Sequence, residues 1–526
     1  MDRQVSDSLS VTRAAGVVSG ATLCSRILGF VRDMIIAWFF GAGMCSDAFF
    51  TAFRIPNLMR RLFAEGSLTM AFIPVFTEIR LRQGKEQALH LAWSAMRVVF
   101  GILLVLAAVG VMSAPVIVRI FAPGFEPLSD RYALTVVLTR MMFPYIVFVG
   151  LTALAMGILN GLGYFAAPAF APLMLNLAII GSALFISPRL AHPVMGLAVG
   201  VLIGGTFQVL LQVPILSRCG VLFRNGAGLF HRGLKKIAVR MIPTVFGAAV
   251  YQINMVIGTL LASFLAEGSI SWLYYADRLV QFPLGLFGVA AATAVMPTLS
   301  RQAAQADHEA LAQTVTEALS LVLFITIPAM AGLMVLKDPI VMVLFKRGAF
   351  DAESVRQTSA VLFYYAVGLW SFSLVRIVVS TFYALQDTRT PVKIATVSVA
   401  ANIVLGVILM KPMAHCGLAL ATSMASVIQL VLLFRILNRK LGGINMKHAA
   451  LSACKSVAGS VIMGFFVWLI AFRMIPGHNG ATWGLLRALL LCIPVGMVIY
   501  GMCARVMKSP EIGLIARTVH HFIHSS

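Results

Sequence analysis

Five arginines stand in the first two hydrophobic stretches that are long enough to cross a membrane. Arg26 and Arg32 lie in residues 14–40, and Arg54, Arg60 and Arg61 lie in residues 47–77. Arg278 lies in a later stretch, 271–298. An arginine at the centre of a bilayer costs about 2.5–3.5 kcal/mol even on the mildest scale. Such a group must line a water-filled cavity, pair with a carboxylate or hold an anion. The nearby acids are Asp33, Asp47, Glu65 and Asp277. Positive charge is in excess, which predicts a site for an anionic ligand within the membrane. Guanidinium suits phosphate because it offers forked, permanently charged hydrogen bonds.

Spacing gives these residues a common face. Asp47, Arg54 and Arg61 recur every seven residues, and Asn57, Arg61 and Glu65 every four. On a helix both series run along one stripe. The second span is therefore expected to turn a polar face toward a cavity rather than toward lipid. The alternative for Arg60 and Arg61 is snorkelling to the membrane surface; Arg54 is too far from either end for that. In the first span, Ser25-Arg26 and Arg32-Asp33 lie mid-segment. Arg32 and Asp33 either face the cavity or pair with groups on neighbouring helices. Gly29 between them permits a bend or a close helix contact. In the eighth span, Ser271 opens a run through Tyr274-Tyr275-Ala276-Asp277-Arg278 to Gln281 and Pro283, and Arg278 shares a face with Gln281. Arg376 in the tenth span is a further cavity candidate. Lys455 and Arg487 lie near span ends, where snorkelling accounts for them.

These groups need a scaffold, and composition says which. Of 526 residues, 60% are hydrophobic and 11% charged, with a mean hydropathy of +0.93. A soluble domain rarely exceeds about half apolar residues. The chain reads as an all-α polytopic membrane protein, because lipid cannot satisfy free backbone groups and the period-2 pattern of barrel strands is absent. About 14 stretches reach the roughly 20 residues that a span needs. An even number puts both termini on one side. With the N-terminus in the cytoplasm, roughly 20 loop Lys and Arg fall inside against about 9 outside, as the positive-inside rule requires. The polar N-terminus precedes a span too long for a signal-peptide core and is expected to be retained.

An internal repeat organises the spans. Phe53-Arg54 through Leu62-Phe63 aligns with Asp277-Arg278 through Leu286-Phe287, so Arg54 falls on Arg278. Pro74 falls on Pro297, Phe121 and Gly124 on Phe345 and Gly348, and Asn176 on Asn402. The unit holds six spans, so both copies point the same way and the pseudo-axis runs along the membrane normal. The expected domains are a six-helix lobe at 1–217, a basic cytoplasmic linker at 218–240, a second six-helix lobe at 241–440, and two additional helices with a tail at 441–526. Gly- and Pro-bearing stretches at 157–163, 243–247 and 283–288 suit helices that bend during alternating access.

Other chemistry is excluded by what is missing. The sequence has no Walker A motif, no GxSxG and no HExxH. The seven cysteines contain no CxxC pair, and no two histidines within a span have ligand spacing, so no metal site or disulfide framework is expected. The net charge of +22 lies largely in loops, with no basic strip interleaved with aromatics, so a nucleic-acid partner is not expected. No enzyme activity and no cofactor are expected.

Four segments carry a family resemblance: SRILGFVRD (25–33), GAGMCSDAFFTAFRIPNLMRRLFAEGSLTMAFIPVF (41–76), SWLYYADRLVQFPLGLFGVA (271–290) and QDTRTPVKIA (386–395). They closely resemble the MurJ (MviN) family of lipid II flippases, within the MOP superfamily that also holds the MATE drug exporters. The resemblance covers nearly the whole chain. It implies two six-helix lobes around a central cationic cavity, in which Arg26, Arg32, Arg60 and Arg278 match essential arginines. Asp47 matches an essential acid, and Asn57 and Glu65 match further cavity positions. The last two helices would form a groove for a polyprenyl tail. Gln281 departs from the family members that carry glutamate there.

The implied substrate is lipid II, an undecaprenyl-diphosphate-linked disaccharide-peptide, moved from the cytoplasmic to the periplasmic leaflet of the bacterial inner membrane. Membrane potential or a monovalent cation would bias the cycle. A monomer is the expected state, with cell-wall synthesis or division proteins and membrane lipid as partners. The competing reading is a cation-coupled MATE-type exporter. That class usually handles organic cations, which an arginine-rich cavity disfavours. An enzyme acting on lipid-linked sugars would need a carboxylate pair that the first lobe lacks, and a scaffold would leave the buried arginines without purpose.

Overall fold

A computed structural model of the chain describes residues 2–62, 68–221, 230–444, 446–474 and 482–513. These residues form helices and no strands, as expected where each segment must satisfy its own backbone. Glu65 lies outside the described residues, as do residues 222–229 of the basic linker and the last residues of the tail.

The helices fall into two compact units, Met1–Ser271 and Trp272–Ser526. The first contains α1 (Asp2–Phe40), α2 (Met44–Leu62), α3 (Leu68–Arg82), α4 (Lys85–Met112), α5 (Ala114–Phe121), α6 (Asp130–Met142), α7 (Tyr145–Leu162), α8 (Ala166–Gly181), α9 (Val194–Leu210), α10 (Val213–Arg218) and α11 (Gly233–Ser263). The second begins within α12 (Ser269–Pro283) and continues through α13 (Ala290–Ala304), α14 (His308–Val335), α15 (Lys337–Phe345), α16 (Ala352–Val367), α17 (Leu369–Ala384), α18 (Arg389–Lys440), α19 (Met446–Met474) and α20 (Thr482–Val506). The repeat groups α11 with the second set of spans, but α11 packs on α2, α3, α4 and α5 and belongs to the first compact unit.

The same order of elements occurs twice. Lys85–Met112 and His308–Val335 are each 28 residues long, and each is followed by a short helix, α5 or α15. Each is then followed by a broken pair, α6–α7 or α16–α17. Among the described residues nine helices are long and apolar enough to cross a membrane, and α16 with α17 makes a further candidate bent by 43° at the break. The chain is thus a multi-pass membrane protein. Helix α2, with Asp47 and three arginines in 19 residues, is too polar for that set. α18 runs for 52 residues as one element, but Ala414 (φ 49°) breaks it just after Pro412, where two spans are expected to meet.

Small residues set the closest approaches, as expected where lipid competes with apolar side chains and packing rather than hydrophobicity drives association. Gly196, Gly200 and Gly204 repeat every four residues on α9; Gly200 and Gly204 face α8, and Gly196 faces Ser187 just beyond it. A methyl group on Gly200 would lie 2.7 Å from Ser182 Cβ and 3.0 Å from Ile179 Cα. α8 in turn packs on α1. Elsewhere the first unit buries Leu68, Phe72, Phe76, Leu91, Leu154 and Ile158 between α3, α4 and α7. The second buries Leu311, Val322, Ile377, Phe382 and Leu433 between α14, α17 and α18. The final pair α19–α20 packs on α14 and α15 through Phe324, Met463, Val467 and Cys492, and the Tyr500 hydroxyl donates to the Phe324 carbonyl at 2.7 Å.

Of the expected breaks, 283–288 is realised as a wide π-helical turn, Leu284–Val289, in which Gly288 approaches Ser373 of α17. Gly157 lies within an unbroken α7 and packs on Phe72; the helix ends at Gly163 (φ 90°). Residues 243–247 fall inside a continuous α11.

Candidate functional site

Asp47, in the first turn of α2, accepts four hydrogen bonds. Its carboxylate is fully buried. Oδ1 accepts from the Ser271 amide at 2.8 Å and the Ser271 hydroxyl at 2.6 Å. Oδ2 accepts from the Gly268 amide at 2.8 Å and from Arg131 at 2.6 Å. A buried carboxylate without such partners would be strongly unfavourable; here a cation and three further donors hold it. Arg131 lies in the first turn of α6, and its guanidinium also stacks on Phe125, 4.0 Å from the ring centroid. The sequence places Asp47 and Ser271 among the site candidates, and the structure brings them together. It adds Arg131 and Gly268, which the sequence reading misses. Arg131 sits beside Asp130 in a polar stretch that reads as a loop. Only the presence of an acid buried at a span's start hints at a cationic partner.

Further along α2 the arginines turn toward α11. Arg54 donates to the Met255 carbonyl at 2.9 Å, and Arg61 lies 3.1 Å from the Met255 sulfur. Arg60 donates to the Asn57 side chain at 2.9 Å, one turn back on the same helix. All four residues are half-buried. The seven-residue spacing of Arg54 and Arg61 thus does place them on one face, and that face meets a neighbouring helix. Pro56 between them removes one amide from the helix ladder and so weakens it locally.

On α1 the two candidate arginines, Arg26 and Arg32, differ. Arg32 is 6% exposed and Asp33 1%. Arg32 donates twice to Asp33 Oδ1, at 2.7 and 3.0 Å, and once to Asn176 of α8 at 3.1 Å. Asn176 returns a bond to the Ser25 carbonyl at 3.1 Å, and Gly29 leaves room for its side chain. This is the paired arrangement that the sequence offered as the alternative to a cavity role for Arg32 and Asp33. Arg26, by contrast, is exposed on α1.

In the second unit Arg278 donates to the Tyr274 hydroxyl at 2.9 Å and lies 5.0 Å from that ring. Asp277 accepts from Gln281 at 3.3 Å. Tyr275 anchors α12 by packing on Phe345 and Phe350. Arg376 is exposed on α17. Three residues beyond the end of that helix, Asp387 accepts from the Thr390 amide and hydroxyl at 3.0 and 2.7 Å and pairs with Lys440 at the far end of α18. The Lys440 hydrogen bond, with that from Thr390, holds the Asp387 carboxyl well below the usual carboxylate range. Among the described residues no group of three His, Cys, Asp or Glu side chains could hold a metal ion.

The candidate site thus comprises guanidinium groups on one face of α2 and on α1, with Asp33 and Asp47 engaged by Arg32 and Arg131. Comparison with known proteins gives it a family. A family model described as lipid II flippase MurJ matches residues 36–489. A probable lipid II flippase MurJ of Vibrio cholerae serotype O1 is 39% identical over 503 residues, spanning 94% of this chain and 95% of the relative. A lipid II flippase MurJ of Burkholderia cenocepacia is 38% identical over 436 residues, 82% of this chain and 84% of the relative. A solved lipid II flippase MurJ in an inward closed conformation matches with a TM-score of 0.77 at 28% identity, covering 93% of this chain and 99% of that one. An inward-facing MATE family multidrug resistance transporter of the MOP superfamily matches with a TM-score of 0.68 at 13% identity, over 80% of this chain and 94% of that one, a likeness of fold alone. On the extent of these matches, the chain belongs to the lipid II flippase MurJ family.

Proposed function

We propose that this protein flips lipid II, the lipid-linked peptidoglycan precursor, from the cytoplasmic to the periplasmic leaflet by alternating access. The observation that carries the reading is the row of guanidinium groups on one face of α2, Arg54 and Arg61 with Arg60 beside them. Such groups match a diphosphate, which cannot enter hydrocarbon unaided. Arg26, exposed on α1, is a further phosphate ligand, and Arg278 takes the same role in the second unit as the repeat-mate of Arg54. The polyprenyl tail stays in lipid, along a groove formed by α19 and α20. The fold is shared with multidrug exporters, so it does not choose the substrate; the sign of the charge does.

In this reading the chain crosses the membrane fourteen times. α18 counts as two spans divided at Ala414, and α1, α2 with α3, and α11 are spans despite their charge. Both termini lie in the cytoplasm of a bacterium, and the protein works as a monomer in the inner membrane, without a cofactor and alongside other cell-wall proteins. The inside-negative potential favours outward movement of an anion by about 2.3 kcal/mol per charge per 100 mV and resets the cycle. A monovalent cation gradient is the other available source.

The test is lipid II translocation in proteoliposomes by wild type, Arg26→Ala and Arg278→Ala, each checked for folding. Wild type is expected to expose the headgroup on the far side, and both variants to lose at least about tenfold in rate, the equivalent of one charge-assisted bond to phosphate. Folded variants that transport at the wild-type rate would remove the arginines from the substrate site. A wild type that moves no lipid II under an imposed potential would overturn the function itself.

A further inference from the structure

We infer that Gly124 is a second closing contact on the face that carries Asp47, and that the loop 122–129 couples the two. The inference rests on the alternating-access reading, in which this face is the periplasmic one. The Gly124 amide donates to the Ser263 hydroxyl at 2.9 Å, at the last turn of α11. That hydroxyl donates onward to the Leu260 carbonyl at 2.6 Å, which leaves its lone pairs for Gly124. A methyl group on Gly124 would lie 2.5 Å from each of three backbone atoms, the Ser263 carbonyl carbon and oxygen and the Phe264 nitrogen. Backbone atoms cannot rotate away, so the end of α11 would have to move off the loop.

The reason for glycine here is informative. Gly348, its repeat-mate, has φ 55° and needs glycine for its own backbone. Gly124 is not among the residues with positive φ. An undocked loop would accept alanine at 124 without strain. Only the docked loop requires the missing side chain, so the residue's identity records the closed contact.

The neighbouring residue ties this contact to Asp47. Phe125 is buried and carries the Arg131 guanidinium on its ring at 4.0 Å, and Arg131 reaches Asp47 at 2.6 Å. One short loop therefore touches the end of α11 through residue 124 and the partner of Asp47 through residue 125. Release of Asp47 frees Arg131, which removes the stack that holds the loop against Ser263.

Cys45, two residues before Asp47 and half-buried, reports the opening. The full-length protein in nanodiscs is labelled with a membrane-impermeant maleimide, and the Cys45 peptide is quantified by mass spectrometry. Gly124→Ala is expected to speed Cys45 labelling at least about fivefold, since overpacking shifts the equilibrium toward the open face. Ser263→Ala removes one hydrogen bond and is expected to give a smaller increase, about two- to fivefold. Gly43→Ala, where a methyl group meets nothing within 4 Å, should label at the wild-type rate. Wild-type labelling of folded Gly124→Ala overturns the closing contact; should that variant not fold, wild-type labelling of Ser263→Ala does so. Coupling predicts that Asp47→Asn with Gly124→Ala gives less than the product of the two single increases, and a product of the two overturns the coupling. The assay contains no substrate, so loss of lipid II transport by wild type would remove the proposed function and leave this result standing.

Discussion

Asp47 and Arg131 do not depend on each other equally. Asp47 accepts four hydrogen bonds, and three of them come from residues 268 and 271 rather than from Arg131. Replacing Asp47 by alanine leaves a cation, two amides and a hydroxyl without an acceptor, whereas Arg131→Met leaves the carboxylate with three donors. Breaking a buried pair by removing one partner typically costs about 3–5 kcal/mol. Asp47→Ala should reach that range and Arg131→Met fall clearly below it, read as the loss of thermal stability in detergent; equal losses would show that the pair, not the surrounding donors, holds the carboxylate. At this scale the sequence was legible where charge stands inside hydrophobic runs. Asp47, Arg54 and Arg278 stand out because lipid penalises them. Arg131 and Asn176 do not. The first lies where a helix start resembles a loop, and the second is a neutral residue whose only mark is its alignment with Asn402.

Element α9 depends on absent side chains. Gly200 and Gly204 let it lie against α8, and α8 holds the Asn176 that completes the Arg32–Asp33 pair on α1. Gly200→Leu should therefore act at a distance. Beyond an overpacking cost of about 1–3 kcal/mol, it should displace Asn176 from Arg32, which amide hydrogen exchange around residue 176 and along α1 would detect. Exchange that rises only in α8 and α9 would show that α1 is held independently. The long apolar helices were readable from hydrophobic length alone, whereas the short helices α5, α10 and α15 and the breaks between α6 and α7 and between α16 and α17 were not. What was not readable is which helix keeps which company. The repeat assigns α11 to the second set of spans, yet it packs on α2 to α5, because a repeat reports common ancestry of sequence and not the contacts adopted in one conformation.

For the molecule as a whole, the fold carries the transport cycle but does not by itself set its direction. The same order of helices occurs in each unit, and in the proposed function the two copies supply the means for alternation. Direction has to come from an outside source, and the proposed one is the potential. Proteoliposomes given an inside-negative potential in the native orientation should flip lipid II faster than the same vesicles after a protonophore or ionophore collapses it. Each translocated charge contributes about 2.3 kcal/mol per 100 mV. Rates that ignore the potential and follow a monovalent cation gradient would transfer the drive to that gradient. The conformation itself has a built-in marker. α12 starts at Ser269 behind a glycine, which offers no capping side chain. The Ser269 amide donates to the Ala266 carbonyl, and Asp47, more than two hundred residues away, accepts from the Gly268 and Ser271 amides. The helix that carries Arg278 therefore has a borrowed N-cap, lent by the helix that carries Arg54. When the loan is withdrawn, the first turn of α12 is left with unsatisfied amides and should fray, so the length of one helix becomes a measure of which state the transporter is in.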